Sequence, residues 1–228
     1  MAGQPLTTVV VITCNYGRYL SDAVESAVAQ TTRPCILIVD DASEDDTPQI
    51  VERLRSAHAA IGYHRLTENI GLARVRNLAA RLVGTPWLVY LDADDWLDPH
   101  FVERGEAMLS ADPAIDALTT DMTIVREGRV KRVFRSRVPP FWADLLARNT
   151  IVQTSFIRRA LVIQADGYDP SLDFEDWDFW IRVLQAGGRI ERLPGAHVFR
   201  REHGRNKSKI CDERAATAHV RAKHAPLR

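Results

Sequence analysis

Three apolar runs in this chain each end in groups suited to chemistry on a phosphorylated ligand. Thr13 and Asn15 follow the first, Asp40 and Asp41 the second, and Asp92, Asp94 and Asp95 end and follow the third, WLVYLD. Carboxylates crowded together cost energy unless cations or hydrogen-bond donors compensate them, so the cluster asks for a metal, a hydroxyl-bearing ligand, or both. A hard divalent cation such as Mg2+ or Mn2+ prefers oxygen ligands and leaves positions open for substrate phosphates. Bridging a diphosphate, it would stabilise the charge that develops on a departing nucleoside diphosphate.

The Asp-x-Asp triplet decides little by itself. With 19 Asp in 228 residues, chance gives about 1.6 such triplets, and the chain has two, the second at Asp176 and Asp178. Context separates them: the first terminates a strand-like run, where a doubly wound sheet places its ligands. The bland alternative, three acids that end a strand and solvate a turn, stands at even weight on this segment alone. The second triplet lies in FEDWDFWIRVLQAGG, where Trp177, Trp180, Ile181 and Leu184 recur at helical spacing and Gly187 ends the helix. Glu175 and Asp176 fall in its first turn. Acids favour that position through the helix dipole, but a carboxylate beside large aromatics is also placed to take a proton from an attacking hydroxyl.

The elements that must position these groups follow from periodicity. Thr8–Thr13 reads as a buried strand and Leu20, Val24, Ala27 and Val28 as a helix face. Ile36–Val39 is a second strand, and Thr47–Ser56 a helix with Pro48 in its first turn. Ile61–Leu66 is a third strand, Leu72, Val75, Leu78 and Leu82 stripe a helix, and Trp87–Leu91 is a fourth strand. Alternating strands and helices predict an α/β class with an open, mostly parallel sheet. Asp98 and Pro99 are expected to cap and open a helix running to Ser110. Beyond it, Ala117–Val125 and Arg129–Phe134 flank Glu127 and Gly128 as a hairpin, so the second half is expected to be mixed and antiparallel. One domain is expected, since the Pro139–Pro140 pair is too short a break to divide it.

Composition excludes several classes. The chain is 46% hydrophobic and 26% charged, enough to build a core without staples. Cys14, Cys35 and Cys211 make neither a disulfide framework nor a zinc knuckle, which favours a cytoplasmic protein. No apolar run approaches the roughly 20 residues of a membrane span. The net charge is zero, yet residues 197–228 hold nine Lys and Arg against three Asp and Glu, so a basic end faces an acidic body.

Taken together, VVVITCNYGRYLSDAVESAVAQ, ILIVDDASEDDT, ENIGLARVRNLAARLVGTPWLVYLDADDWL and GYDPSLDFEDWDFWIRVLQAGG resemble the family 2 glycosyltransferases in order and spacing, from about Thr8 to Gly188. The resemblance implies a GT-A fold: a Rossmann-like open, mostly parallel sheet with flanking helices and a smaller mixed or antiparallel C-terminal part. It implies a nucleotide-binding half at 1–98, an acceptor-binding half at 99–196 and a basic closing segment with a C-terminal helix at 197–228. By motif it puts Thr13, Asn15 and Asp41 at the nucleotide, Arg76 on the diphosphate side, Asp92 near the ribose or metal, and Asp94 as the leading metal ligand. Asp176 matches the base of inverting members, with Glu175 beside it. The looser match of FRREHGRNKSK makes Arg201 and His203 candidates for diphosphate or metal contact. Cys14 stands where the family usually has an aromatic, and Tyr16 follows.

The function implied is metal-dependent, inverting transfer from a nucleoside-diphosphate sugar, a UDP-sugar favoured, to a saccharide or other hydroxyl acceptor. Mn2+ or Mg2+ would serve as cofactor, with no nucleic acid partner. Peripheral membrane contact stays open, and residues 130–154 are expected to shape the acceptor side. A noncatalytic sugar-nucleotide binding module and a phosphotransferase using Asp92 as nucleophile are the alternatives.

Overall fold

The computed structural model describes residues 4–138, 142–204, 206 and 212–225. Strand β1 (Thr7–Thr13) is buried along its whole length, as a central parallel strand must be. Successive side chains point to opposite faces, so Val9 and Val11 pack with α1 (Gly17–Val28) and α2 (Thr47–Ala57). Val10 and Ile12 pack with α3 (Leu72–Leu82) on the other side. β2 (Cys35–Asp40) and β4 (Trp87–Asp92) flank β1 in parallel, and β3 (Gly62–Arg65) extends β2. This register brings Thr13, Asp40 and Asp92 to one carboxyl edge.

The second half is mixed, as expected. β6 (Ala117–Arg126) and β7 (Arg129–Phe134) form the hairpin, and Glu127 and Gly128 take the positive φ values, 52° and 72°, of a tight two-residue turn. β8 (Phe156–Arg158) joins β4 to β6 antiparallel to both, and β9 (Ile190–Arg201) runs parallel to β6. β5 (Trp96–Leu97) closes the far edge against β9. Among the described residues one sheet results, in the order β3-β2-β1-β4-β8-β6-β9-β5, with β7 paired to β6. Helices α4 (Phe101–Ala111), α5 (Trp142–Ala147), α6 (Arg159–Gln164), α7 (Glu175–Gln185) and α8 (Glu213–Lys223) complete the fold.

Two expectations are corrected. Helix α4 begins at Phe101, because Asp98 and Pro99 form the turn before it: the Asp98 carboxylate accepts from the His100 amide and its carbonyl from the Phe101 amide. The buried face of α3 is Ala73, Val75, Arg76, Ala79 and Ala80, while Leu82 is 45% exposed. The apolar stripe misleads here because small residues let the helix lie close to the sheet. The expected C-terminal helix begins at Glu213, capped by Asp212, and is docked through buried Ala216 and Val220. The Pro139–Pro140 pair, Cys211 and most of the basic run before α8 lie outside the described residues.

The second acidic triplet explains that docking. Asp178 is fully buried; one carboxylate oxygen meets Lys223 Nζ and His224 Nε2, each at 2.8 Å, and the other accepts from Arg182 Nε at 2.9 Å. Lys223 also reaches Asp169 at 2.7 Å. Burial works against the Asp178 charge, but hydrogen bonds from Lys223, His224 and Arg182 hold its carboxyl below the usual range. A depressed carboxyl pKa contributes stability that is present above the ordinary value and lost as pH falls through the folded one. Asp178→Ala is therefore expected to cost about 3 kcal/mol, the range for breaking a buried pair, measured by urea unfolding at pH 7. Its deficit should shrink below roughly pH 4, where the wild type loses the same interaction.

Candidate active site

Two adjoining clefts open at the carboxyl edge of the sheet. The first cleft, about 650 Å3, is lined by Thr13, Cys14, Tyr16, Asp41, Asp92 and Asp94 among others. Its neighbour, about 580 Å3, is lined by Arg132, Arg148, Asn149 and Asp176. Asp92, Asp95, Asp173, Glu175 and Arg200 line both.

The loops after β1 and β2 are locked together by the residues assigned to the nucleotide. Asn15, at φ 59°, donates its amide to Ser43 Oγ and accepts from the amides of Glu44 and Asp45. Asp41 is buried, and its two oxygens accept from the amides of Ile70 at 2.8 Å and Gly71 at 3.0 Å, fixing the entry to α3. Thr13 Oγ1 is buried and finds no hydrogen-bond partner among the described residues. Cys14 accepts from Asn69 Nδ2 at 3.1 Å, and burial together with Asp41 pushes its thiol pKa up. Tyr16 lines the cleft beside it, its ring 5.8 Å from that of His203.

Asp92, Asp94 and Asp95 each bring a carboxylate oxygen within 4.8 Å of the others. Burial and then the Asp92 charge raise the Asp94 pKa; burial, Asp94 and Asp92 raise that of Asp95 well above its ordinary value. The closing segment reaches this cluster directly. His203 Nε2 lies 2.9 Å from Asp94 Oδ2, and Asn206 Nδ2 donates to the same oxygen at 3.0 Å. Arg201 spans two sides: its amide donates to Asp95 Oδ1 and its Nε to the Asp94 carbonyl at 3.3 Å, while its Nη2 pairs with Asp22 at 2.6 Å and its guanidinium stacks over Tyr19 and Trp96. It anchors the segment to α1 and, with Tyr19, Asp22 and Trp96, lines a third cleft.

Arg76 is 3% exposed. Its Nη1 donates to Glu175 Oε1 at 2.6 Å, its Nη2 lies 3.6 Å from Asp92 Oδ1, and its guanidinium sits 5.4 Å from the Tyr168 ring centre. Burial opposes its charge, but Glu175 and then Asp92 outweigh that cost and keep it charged. The guanidinium thus joins the end of β4 to the start of α7, where Asp176 accepts from Asn149 Nδ2 at 3.0 Å. Asp94 and Asp176 line different clefts, and the shared wall of Asp92, Asp95 and Glu175 lies between them.

Sequence reasoning passed over Arg74, Arg200, Asn206 and Asp173, all of which line the first cleft. Arg200 was discoverable by strand alternation once β9 was recognised, since neighbouring Arg201 must face the other way. Arg74 lies two residues before Arg76 on α3 and is exposed where Arg76 is buried.

The model of glycosyl transferase family 2 matches residues 8–160. An uncharacterized glycosyltransferase of Methanocaldococcus jannaschii is 24% identical over 79% of this chain, which spans 65% of that relative's length. Staphylococcus aureus TarS in complex with UDP-GlcNAc superimposes with a TM-score of 0.78 at 22% identity, covering 97% of this chain and 68% of that one. A mannosyltransferase from Pyrobaculum calidifontis in complex with GDP-Man and Mn2+ gives a TM-score of 0.71 at 21% identity, covering 90% and 59%. These neighbours share the GT-A fold, and with two thirds of its length matched the chain belongs to glycosyl transferase family 2.

Proposed function

We propose that the chain moves a sugar from a nucleoside-diphosphate sugar, a UDP-sugar in the first instance, to an acceptor hydroxyl with inversion at the anomeric carbon. The observation that carries this is the meeting of three carboxylates on the wall of one cleft with Asp176 in the cleft beside it. The structural neighbours that hold UDP-GlcNAc, or GDP-Man with Mn2+, support a nucleotide-sugar donor. The free thiols of Cys14 and Cys35 fit a cytoplasmic setting.

The donor set suits Mn2+ or Mg2+. Asp94, with Asp92, offers hard oxygens, His203 stands against Asp94, and two carboxyls are pushed toward protonation by burial and mutual repulsion that a cation would relieve. When bound, the ion supplies charge neutralisation for the leaving diphosphate. Thr13, Asn15 and Asp41 form the nucleotide end, where the unsatisfied Thr13 hydroxyl offers a hydrogen bond. Arg76 acts through Glu175 and Asp92 and positions them. Asp176 takes the proton of the acceptor hydroxyl as its oxygen bonds the anomeric carbon. The bond from that carbon to the β-phosphate oxygen breaks, and its electron pair leaves with the nucleoside diphosphate. Positioning and charge stabilisation carry most of the rate.

Asp176→Asn is expected to lower turnover by about 10² or more with donor affinity retained, read by release of the nucleoside diphosphate and by donor titration. Full activity would dismiss the base assignment. Asp94→Ala should remove the Mn2+-induced rise in melting temperature, a rise worth about 2.7 kcal/mol at a hundredfold excess over Kd in the wild type. Because protons compete for the raised carboxyls, that rise should be smaller at pH 5 than at pH 7.5. Arg76→Met is expected to destabilise by about 3–5 kcal/mol by stranding Glu175; a fully stable variant with weakened donor binding would place Arg76 on the diphosphate instead. Proton NMR of the product decides inversion against retention.

A further inference from the structure

The outer part of the Asp176 cleft carries charge that proton removal does not require. β6 and β7 pair Ile124 with Arg132, Val125 with Val130 and Arg126 with Arg129, so Lys131 is an inserted residue on β7. Such a bulge resets which side chains share a face. Paired residues lie on the same side, so Arg126, Arg129, Arg132 and Phe134 fall with Met122 and Ile124, and Val130 and Val133 fall opposite. The face bearing Met122, Ile124, Arg132 and Phe134 lines the cleft. Across β6, β9 pairs Arg200 with Ile124, so Arg200 and Arg132 flank one position.

Arg148, the residue after α5, lines the same cleft. Arg221 from α8 also lines it, but donates to the carbonyls of Leu146 and Ala147. The side chains of Arg132 and Arg148 are exposed and have no hydrogen-bond or ion-pair partner among the described residues. The acids are segregated. Asp92, Asp95, Asp173 and Glu175 line the boundary with the first cleft, Asp176 is held by Asn149, and Glu213 sits in the first turn of α8. Two unneutralised guanidinium forks therefore share the cleft of the proposed base. Such forks match the oxygens of a phosphate through paired, charge-assisted hydrogen bonds.

We propose that the acceptor carries a phosphate group, held by Arg132 and Arg148 while its hydroxyl lies at Asp176. This rests on the acceptor-side reading of the cleft. A soluble phosphate ester and a lipid headgroup share the chemistry. The test uses the full chain saturated with UDP and Mn2+, so that the metal-side cleft is filled. It is titrated with sn-glycerol 3-phosphate, with glycerol as control, and in parallel sedimented with phosphatidylcholine vesicles with and without phosphatidylglycerol. At least one phosphate probe should bind where its neutral counterpart does not. Binding should fall about tenfold or more in the R132A/R148A double variant and be partly restored in R132K/R148K. Melting temperature and UDP titration check the fold of each variant. Binding by the ester alone assigns a soluble acceptor, and by the vesicles alone a lipid-linked one. Binding of neither probe, or equal binding to wild type and R132A/R148A, overturns the proposal. UDP binding by the wild type, measured separately, tests the donor reading on its own.

Discussion

A single buried guanidinium holds the two sides of the site in register. Arg76 is nearly sealed from water, so its charge is sustained by Glu175 at 2.6 Å and Asp92 at 3.6 Å. The ring of Tyr168 covers its face, and the hydroxyl of Tyr90 on β4 donates to its backbone carbonyl at 2.8 Å. One side chain from α3 therefore sets the distance from the end of β4 to the start of α7. Asp94 on the β4 side and Asp176 on the α7 side inherit that distance. Pairs of this kind contribute little net stability but specify geometry, because any other arrangement strands a charge.

The acidic cluster beside it is the opposite case, with like charges crowded and burial adding to their repulsion. His203 and Asn206 relieve Asp94, and the Arg201 amide relieves Asp95. These contacts come from the segment after β9, which is itself secured by the Arg201–Asp22 pair and by stacking on Tyr19 and Trp96.

Much of the frame is legible in the sequence because buried parallel strands are written as unbroken apolar runs. β1 and β4 needed no other signal, and the polar residues that end β1, β2 and β4 line up once those strands pair. Other parts are invisible for identifiable reasons. β8 is three residues long and β5 two, too short for periodicity to register. The buried face of α3 is Val75 among alanines and an arginine, so a search for large apolar residues finds only part of it. Arg200 and Arg201 look equivalent as letters; only the alternation of β9 sends one to the clefts and the other to α1. The bulge at Lys131 is set by pairing with β6 and leaves no mark in β7 itself.

The two Asp-x-Asp triplets show why spacing cannot stand in for structure. Along a helix each residue advances by about 100°, so positions two apart diverge by roughly 200° and face opposite ways. Asp176 accordingly faces the cleft while Asp178 turns into the core to hold Lys223 and His224. Asp92 and Asp94 leave a strand into a turn, where the chain folds back sharply enough for Asp95 to donate its amide to the Asp92 carbonyl at 3.0 Å. A turn of that kind gathers its side chains instead of dispersing them, and three carboxylate oxygens come within ligating distance of a common centre. The same three letters therefore gather carboxylates in one element and, in the other, divide between a cleft wall and a structural latch.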